Sequence, residues 1–180
     1  MAIRRKTVAE RIVAARTAAA APGVPVSYIS NADAGSLATP TPFDGEWAHS
    51  TNVYDEIVAN GWKPGLAKNT IYGAAIYLSR SKWEQSHAAV FKCVLNLDAG
   101  EVMSEFASES GTGDTQDHVL WHIREHGGII VGRNASVGSS TQNQRITSYF
   151  SSRGIRAIHF REHGTPVVAV YDPSCLLVLK

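Results

Sequence analysis

The spacing of apolar residues predicts a helix at the start of the chain. Val8, Ile12, Ala15 and Ala19 recur at helical intervals in an alanine-rich stretch, which favours an N-terminal helix over residues 1–21 that packs or docks. The basic residues before it are also found in targeting peptides. However, three charges interrupt any apolar run of such a peptide, namely Glu10, Arg11 and Arg16. The pattern therefore favours a helix of the mature protein.

Beyond residue 21, short helical and strand patterns follow one another irregularly. Strands are predicted over residues 24–30, 47–50, 74–78, 88–97, 129–131, 155–160, 167–171 and 176–179. Helices are predicted from a cap at Thr51 or Asn52 to Gly61, and over residues 81–87, 114–126 and 141–152. Long loops are predicted over residues 31–46 and 105–113. Because helices and strands lack regular βαβ alternation, an α+β domain over residues 22–180 is expected.

Composition narrows the class of protein. The 180 residues fit one domain, and 44% hydrophobic with 18% charged residues is typical of a globular chain. A net charge of +1 argues against a dedicated nucleic-acid binder. Cys93 and Cys175 have no metal-binding or disulfide-framework spacing, which favours a reducing, cytoplasmic location. No apolar run is long enough to span a bilayer, so a soluble protein without a membrane partner is expected.

Three sequence pieces, in order, resemble one known family. They read WAHSTN at residues 47–52 with IVANGWKP at 57–64, GAAIYLS at 73–79, and VVAVYDP at 167–173. They are similar to the HGT or HGS strand, the GKGIYFA motif and the EYVVYDP strand of the poly(ADP-ribose) polymerase family. The resemblance covers roughly residues 47–180. It implies the ADP-ribosyltransferase fold, with split antiparallel β-sheets and flanking helices, and NAD as the substrate.

The resemblance also implies roles for individual residues. His49 corresponds to the histidine that hydrogen-bonds a ribose hydroxyl, and Tyr77 to the tyrosine whose ring stacks on nicotinamide. Ser50 stands where the family has a glycine whose backbone holds the carboxamide, a role open to serine if its φ is negative. Further NAD contacts are implied for Thr51, Tyr72, Gly73, Ser86 and His87, with Trp83 or His87 as the second stacking ring.

The chemistry explains why such residues are needed. Transfer of ADP-ribose breaks the bond between nicotinamide and ribose through an oxocarbenium-like transition state, as in glycoside hydrolysis. Both halves of NAD must therefore be held in position before the bond breaks.

Val167 is the main departure from the family's pattern. It occupies the catalytic position where the family often has a glutamate that positions the acceptor and supports polymer elongation. An apolar residue there resembles the mono-ADP-ribosyltransferases, which add a single unit. The missing acid could come from the target or from Glu162, and the target is the favoured source. Ala75 is a smaller departure, in place of the middle glycine of the second motif.

Three hypotheses of function follow. The leading one is an NAD-dependent mono-ADP-ribosyltransferase that modifies a macromolecule, with protein as the expected target. The second is a non-catalytic binding protein of the same fold, motivated by Ser50, Ala75 and Val167. The third is a structural protein that docks through residues 1–21.

A row of histidines offers a candidate metal site. His118, His122 and His126 recur four residues apart in a predicted helix, a spacing at which imidazoles can chelate a metal. The stretch has no HExxH pattern and no identifiable cysteine or carboxylate partner. A solvated polar face is the favoured interpretation, and no metal is predicted.

Overall fold

A computed structural model describes residues 22–64, 72–80, 89–106, 123, 140–162 and 164–180. Its strands are β1 (Ser27–Ile29), β2 (Trp47–Thr51), β3 (Ile76–Ser79), β4 (Ala89–Leu95), β5 (Val102–Phe106), β6 (Ala157–Glu162), β7 (Thr165–Val170) and β8 (Leu176–Leu179). The α-helices among these residues are α1 (Asn31–Ala34), α2 (Tyr54–Asn60) and α3 (Ser140–Ser151). Short 3-10 turns cover Ala99–Glu101 and Pro173–Cys175.

The described strands form one open sheet in the order β1-β8-β4-β2-β3-β7-β6-β5. The outermost pairs, β1 with β8 and β5 with β6, are parallel, and the pairs between them are antiparallel. A mixed sheet with few helices confirms the predicted α+β class. The expected split into separate sheets is not observed. One half of the sheet consists of β1, β8, β4 and β2, the other of β3, β7, β6 and β5, and the pairing of β2 with β3 joins them. That junction is sparse, since Ala48 with Ser79 is its one registered pair among the described residues.

The sheet carries a hydrophobic core on each face. On β3, Ile76 and Leu78 belong to one cluster together with Trp62 and Phe91. The intervening Tyr77 packs against the other cluster, which α3 covers. Side chains of a strand alternate between faces, so a strand buried on both sides reads as a continuous apolar run. The run Val-Val-Ala-Val at the end of β7 has this form, and all four residues are buried.

Several predicted elements are confirmed with shifted ends. β8 has the predicted bounds, and β4 covers seven of the ten predicted residues. α2 ends at Gly61, which adopts a positive φ of 79°. Its N-cap is Val53 rather than Thr51 or Asn52, but the Thr51 hydroxyl accepts a hydrogen bond from the Val53 N–H at 3.1 Å.

The prediction of a loop from residue 105 was wrong at its start. Residues 105–106 end β5, which pairs in parallel with β6. Just before β6, the Arg156 side chain donates to Glu101, which precedes β5, at 3.0 Å and to Asp172, which follows β7, at 2.9 Å. β6 and Arg156 lie far from β5 in sequence, and the local pattern of residues 102–106 does not reveal them.

Other predicted elements lie outside the described residues. These are the helices over residues 1–21, 81–87 and 114–126 (apart from Ile123) and the strand over 129–131. Within the described part of the chain, no helix combines the length and apolarity needed to cross a membrane.

Candidate functional site

The three motif residues His49, Tyr77 and Val167 lie on three neighbouring strands. β2 carries His49, β3 carries Tyr77 and β7 carries Val167, and these strands are adjacent in the sheet. The register pairs Tyr77 with Ala169 and Ser79 with Val167. Folding thus brings motifs from distant parts of the sequence to the centre of one sheet.

His49 links the two halves of the sheet through its side chain. Its Nδ1 lies 2.8 Å from the backbone carbonyl oxygen of Tyr77. A carbonyl oxygen only accepts, so Nδ1 carries the proton, and in a neutral imidazole Nε2 is then the acceptor nitrogen. The ring also packs edge-to-face against Trp62, with centroids 5.4 Å apart, and lies beside Phe91. These contacts fix the orientation of the His49 ring.

Ser50 meets the backbone condition for its implied role. It lies inside β2, whose extended conformation requires a negative φ. Ser50 is paired with Val90 on the β4 side. On the other side of β2, the registered pairing with β3 is limited to Ala48 with Ser79. The sheet is therefore sparsely paired beside Ser50.

Tyr77 is fixed by its hydroxyl group. The hydroxyl accepts a hydrogen bond from the Tyr72 N–H at 3.1 Å and donates to the Gly73 carbonyl at 2.9 Å. Its ring is half-buried against the cluster that α3 covers. The hydroxyl is therefore engaged with the backbone, while the ring packs against this cluster.

Tyr72 and Gly73 form the support of Tyr77. The Tyr72 carbonyl accepts a buried hydrogen bond from the Tyr171 hydroxyl at 2.8 Å. Gly73 has a φ of 111°, and a Cβ there would lie 2.9 Å from Thr147 Oγ1 and 3.0 Å from Tyr171 Cε1. Only glycine fits this approach without displacement. Both residues are buried.

Val167 lies inside the apolar core. Its side chain is 5% exposed and belongs to the cluster that contains Phe160, Ala169 and Tyr171. The position of the family's glutamate is thus filled by a packed aliphatic group, which offers neither charge nor hydrogen bond. Glu162 ends β6 and pairs with Thr165, the first residue of β7.

The sheet separates the side chains of the first two motif residues. His49 packs with Trp62 and Phe91 of one core cluster, whereas Tyr77 packs against the other, to which Val167 belongs. The hydrogen bond between His49 and the Tyr77 carbonyl crosses the sparse junction between them. The backbone junction between β2 and β3 is the part of the described structure that lies next to both residues. The expected contacts Ser86, His87 and Trp83, and the histidines His118, His122 and His126, lie outside the described residues.

Sequence reasoning missed two residues that support this region. Thr147 on α3 bonds both backbone groups of Ala74, at 2.8 and 3.1 Å. Tyr171 holds the Tyr72 carbonyl. The tyrosine was part of the VVAVYDP motif, but a threonine within a helix carries no local signal of such a contact.

The cysteines do not provide a nucleophile. Cys93 and Cys175 are both buried, and burial raises the pKa of each thiol to about 12. Because the thiolate is the reactive form, both remain unreactive thiols near neutral pH. Among the described side chains, no group of three His, Cys, Asp or Glu residues is placed to hold a metal ion.

Comparisons of the chain with protein-family models, curated proteins and solved structures found no match. An assignment of function therefore rests on the residues and geometry of the chain itself.

Proposed function

We propose that this protein is an NAD-dependent mono-ADP-ribosyltransferase that modifies a protein target. One observation carries the proposal: the strands with His49, Tyr77 and Val167 are neighbours, and His49 bonds the Tyr77 carbonyl where β2 and β3 are sparsely paired. The strands that carry the motifs resembling the poly(ADP-ribose) polymerase family are thus adjacent, with the side chains of His49 and Tyr77 on opposite faces of the sheet.

Each residue of the junction has a chemical role in this proposal. The Tyr77 ring stacks on nicotinamide, and the backbone of Ser50 holds the carboxamide. His49 Nε2 accepts a hydrogen bond from a ribose hydroxyl, as its tautomer allows. Held in this way, the bond between nicotinamide and ribose can break towards an oxocarbenium-like ribose that the acceptor attacks. Released nicotinamide and a modified target are the products.

The acid of the reaction comes from the target in this proposal. Val167 is buried and apolar, so it cannot stabilise positive charge on the ribose. A carboxylate of the bound protein target can supply that stabilisation. The enzyme then adds one ADP-ribose unit to each acceptor, because the added unit brings no carboxylate for a second round.

A transfer assay tests the proposal. The protein is incubated with NAD labelled in its adenylate moiety and with cell lysate, and label on protein and free nicotinamide are measured. We expect transfer by the parent and a loss of about a hundredfold or more in His49→Ala and Tyr77→Ala, since each removes a contact that positions NAD. Tyr28→Ala is the matched control, because Tyr28 is 41% exposed on the edge strand β1.

The assay has outcomes that reject the proposal. If the folded parent shows neither label transfer nor nicotinamide release, the hypothesis of an enzyme is rejected. Full activity in both site variants would show that the site lies elsewhere. Because the His49 ring packs against Trp62, circular dichroism must show that His49→Ala remains folded.

A second candidate function is a non-catalytic binding protein of the same fold. The burial of Val167 in an apolar cluster favours it, because the position of the family's acid serves packing here. Calorimetry separates the two candidates: this second function predicts no NAD binding, whereas the transferase binds NAD and loses binding in Tyr77→Ala.

A further inference from the structure

The position of the Tyr77 ring is determined by residues 72–73. The phenolic oxygen lies in the plane of the ring, and it bonds the Tyr72 N–H at 3.1 Å and the Gly73 carbonyl at 2.9 Å. A shift of these two backbone groups therefore moves the hydroxyl and the ring with it. A ring that serves as a stacking surface must be held to a fraction of an ångström.

Residues 72–74 are in turn fixed to helix α3. The Thr147 hydroxyl accepts a hydrogen bond from the Ala74 N–H at 2.8 Å and donates to the Ala74 carbonyl at 3.1 Å. One side chain thus binds both backbone groups of one residue. The Asn143 carbonyl lies farther from the same N–H, at 3.4 Å. Thr147 is the closer partner and the one that also reaches the Ala74 carbonyl.

The contact between this segment and α3 is unusually close. A Cβ on Gly73 would lie 2.9 Å from Thr147 Oγ1 and 3.1 Å from Ile146 Cγ2. The backbone at Gly73 therefore rests directly on the side chains of the helix. At this separation, the hydroxyl of Thr147 sets both the distance and the orientation of the segment.

We propose that Thr147 is the positioning residue for the Tyr77 ring and thereby for NAD. It acts through Ala74, Gly73 and the Tyr77 hydroxyl, without touching NAD itself. The step from Tyr77 to NAD rests on the proposed function. The step from Thr147 to Tyr77 rests only on the hydrogen bonds described above.

Thr147→Val and Thr147→Ser form a matched pair for the test. Valine keeps the shape of threonine but removes both hydrogen bonds to Ala74, whereas serine keeps the hydroxyl. Ser148→Ala is the control, because Ser148 is exposed on the same helix. We expect NAD to bind Thr147→Val roughly tenfold more weakly by calorimetry, the effect of losing about one net hydrogen bond. Thr147→Ser and Ser148→Ala should bind NAD like the parent.

A second measurement needs no NAD. The aromatic NMR signals of Tyr77, assigned by their loss in Tyr77→Phe, should move in Thr147→Val and remain in place in Thr147→Ser. If those signals do not move, the inference is wrong, even where Thr147→Val melts at a lower temperature. If they move but the parent binds no NAD, the proposed function fails while the positioning of Tyr77 by Thr147 stands. If the parent binds NAD and Thr147→Val binds it with the same affinity, Thr147 does not position NAD through Tyr77.

Discussion

At the scale of single residues, His159 is a buried base with no acidic hydrogen-bond partner among the described residues. It lies on β6, is 6% exposed, and packs edge-to-face against the rings of Phe43 and Trp47. Its Nδ1 has no hydrogen-bond partner among the described residues. Burial, followed by the charges of Arg161 and Arg80, lowers the pKa of His159 to about 4. The folded protein therefore holds this imidazole neutral.

The depressed pKa makes stability depend on pH in a defined range. Between its ordinary value of 6.5 and about 4, His159 binds a proton in the unfolded chain but not in the folded one. The contribution of His159 to the free energy of unfolding is fully present above pH 6.5. It decreases as the pH falls towards 4, by at most about 3 kcal/mol. Urea unfolding across this range measures the effect.

His159→Leu is the control for this prediction, because leucine fills a similar volume and does not titrate. Its free energy of unfolding should decrease less than that of the parent between pH 6.5 and 4. Parallel curves for the two proteins would show that His159 does not carry the effect.

At the scale of elements, the segment before β3 joins a helix to the sheet. Thr147 of α3 holds Ala74, and Tyr171 after β7 holds the Tyr72 carbonyl. Gly73 lies between these contacts with a φ of 111°. The segment therefore combines a conformation unfavourable for other residues with close contact on two sides.

Gly73→Ala tests the closeness of this contact. The added Cβ meets Thr147 Oγ1 at 2.9 Å and Tyr171 Cε1 at 3.0 Å, in addition to the strain of the positive φ. Gly154→Ala is the matched control, since Gly154 has a φ of 75° but nothing within 4 Å. We expect Gly73→Ala to lower the free energy of unfolding by about 1–3 kcal/mol more than the control does. Equal losses in thermal or chemical unfolding would show that packing against α3 adds nothing.

At the scale of the whole molecule, the sheet is continuous but weakly joined at its centre. β2 and β3 share one registered pair, while β6 with β7 share six. His49 crosses this junction with its bond to the Tyr77 carbonyl. The sparse pairing leaves the two halves of the sheet connected in part by a side chain, at the place where we propose that NAD binds.

The burial of Val167 leads to a prediction about the product. Mass spectrometry of the modified target should find single ADP-ribose units even at high NAD, because the chain presents no acid at this position. Glu162→Gln should then change the rate little. A loss of about two orders of magnitude, the scale for removing one electrostatic stabiliser, would identify Glu162 as the acid. Polymeric products from the parent would contradict the prediction.

Much of the secondary structure follows from local sequence patterns. β4, β7 and β8 were predictable because strands buried on one or both faces require local runs of apolar residues. The end of α2 at Gly61 was predictable because a positive φ is a local requirement that glycine meets. The resemblance carried by the motifs around His49, Tyr77 and Val167 is likewise read from the sequence alone.

How these elements meet depends on contacts between distant parts of the chain. The pairing of β5 with β6, the single sheet and the contact between Thr147 and Ala74 all join residues far apart along the chain. The hydrogen bond from His49 to the Tyr77 carbonyl also joins distant parts of the chain. Here a side chain of β2, and not its backbone, bonds the backbone of β3. Local sequence patterns indicate which face of an element is apolar, because each buried position favours an apolar residue. They do not report which partner covers that face, because the partner depends on the packing of the whole chain.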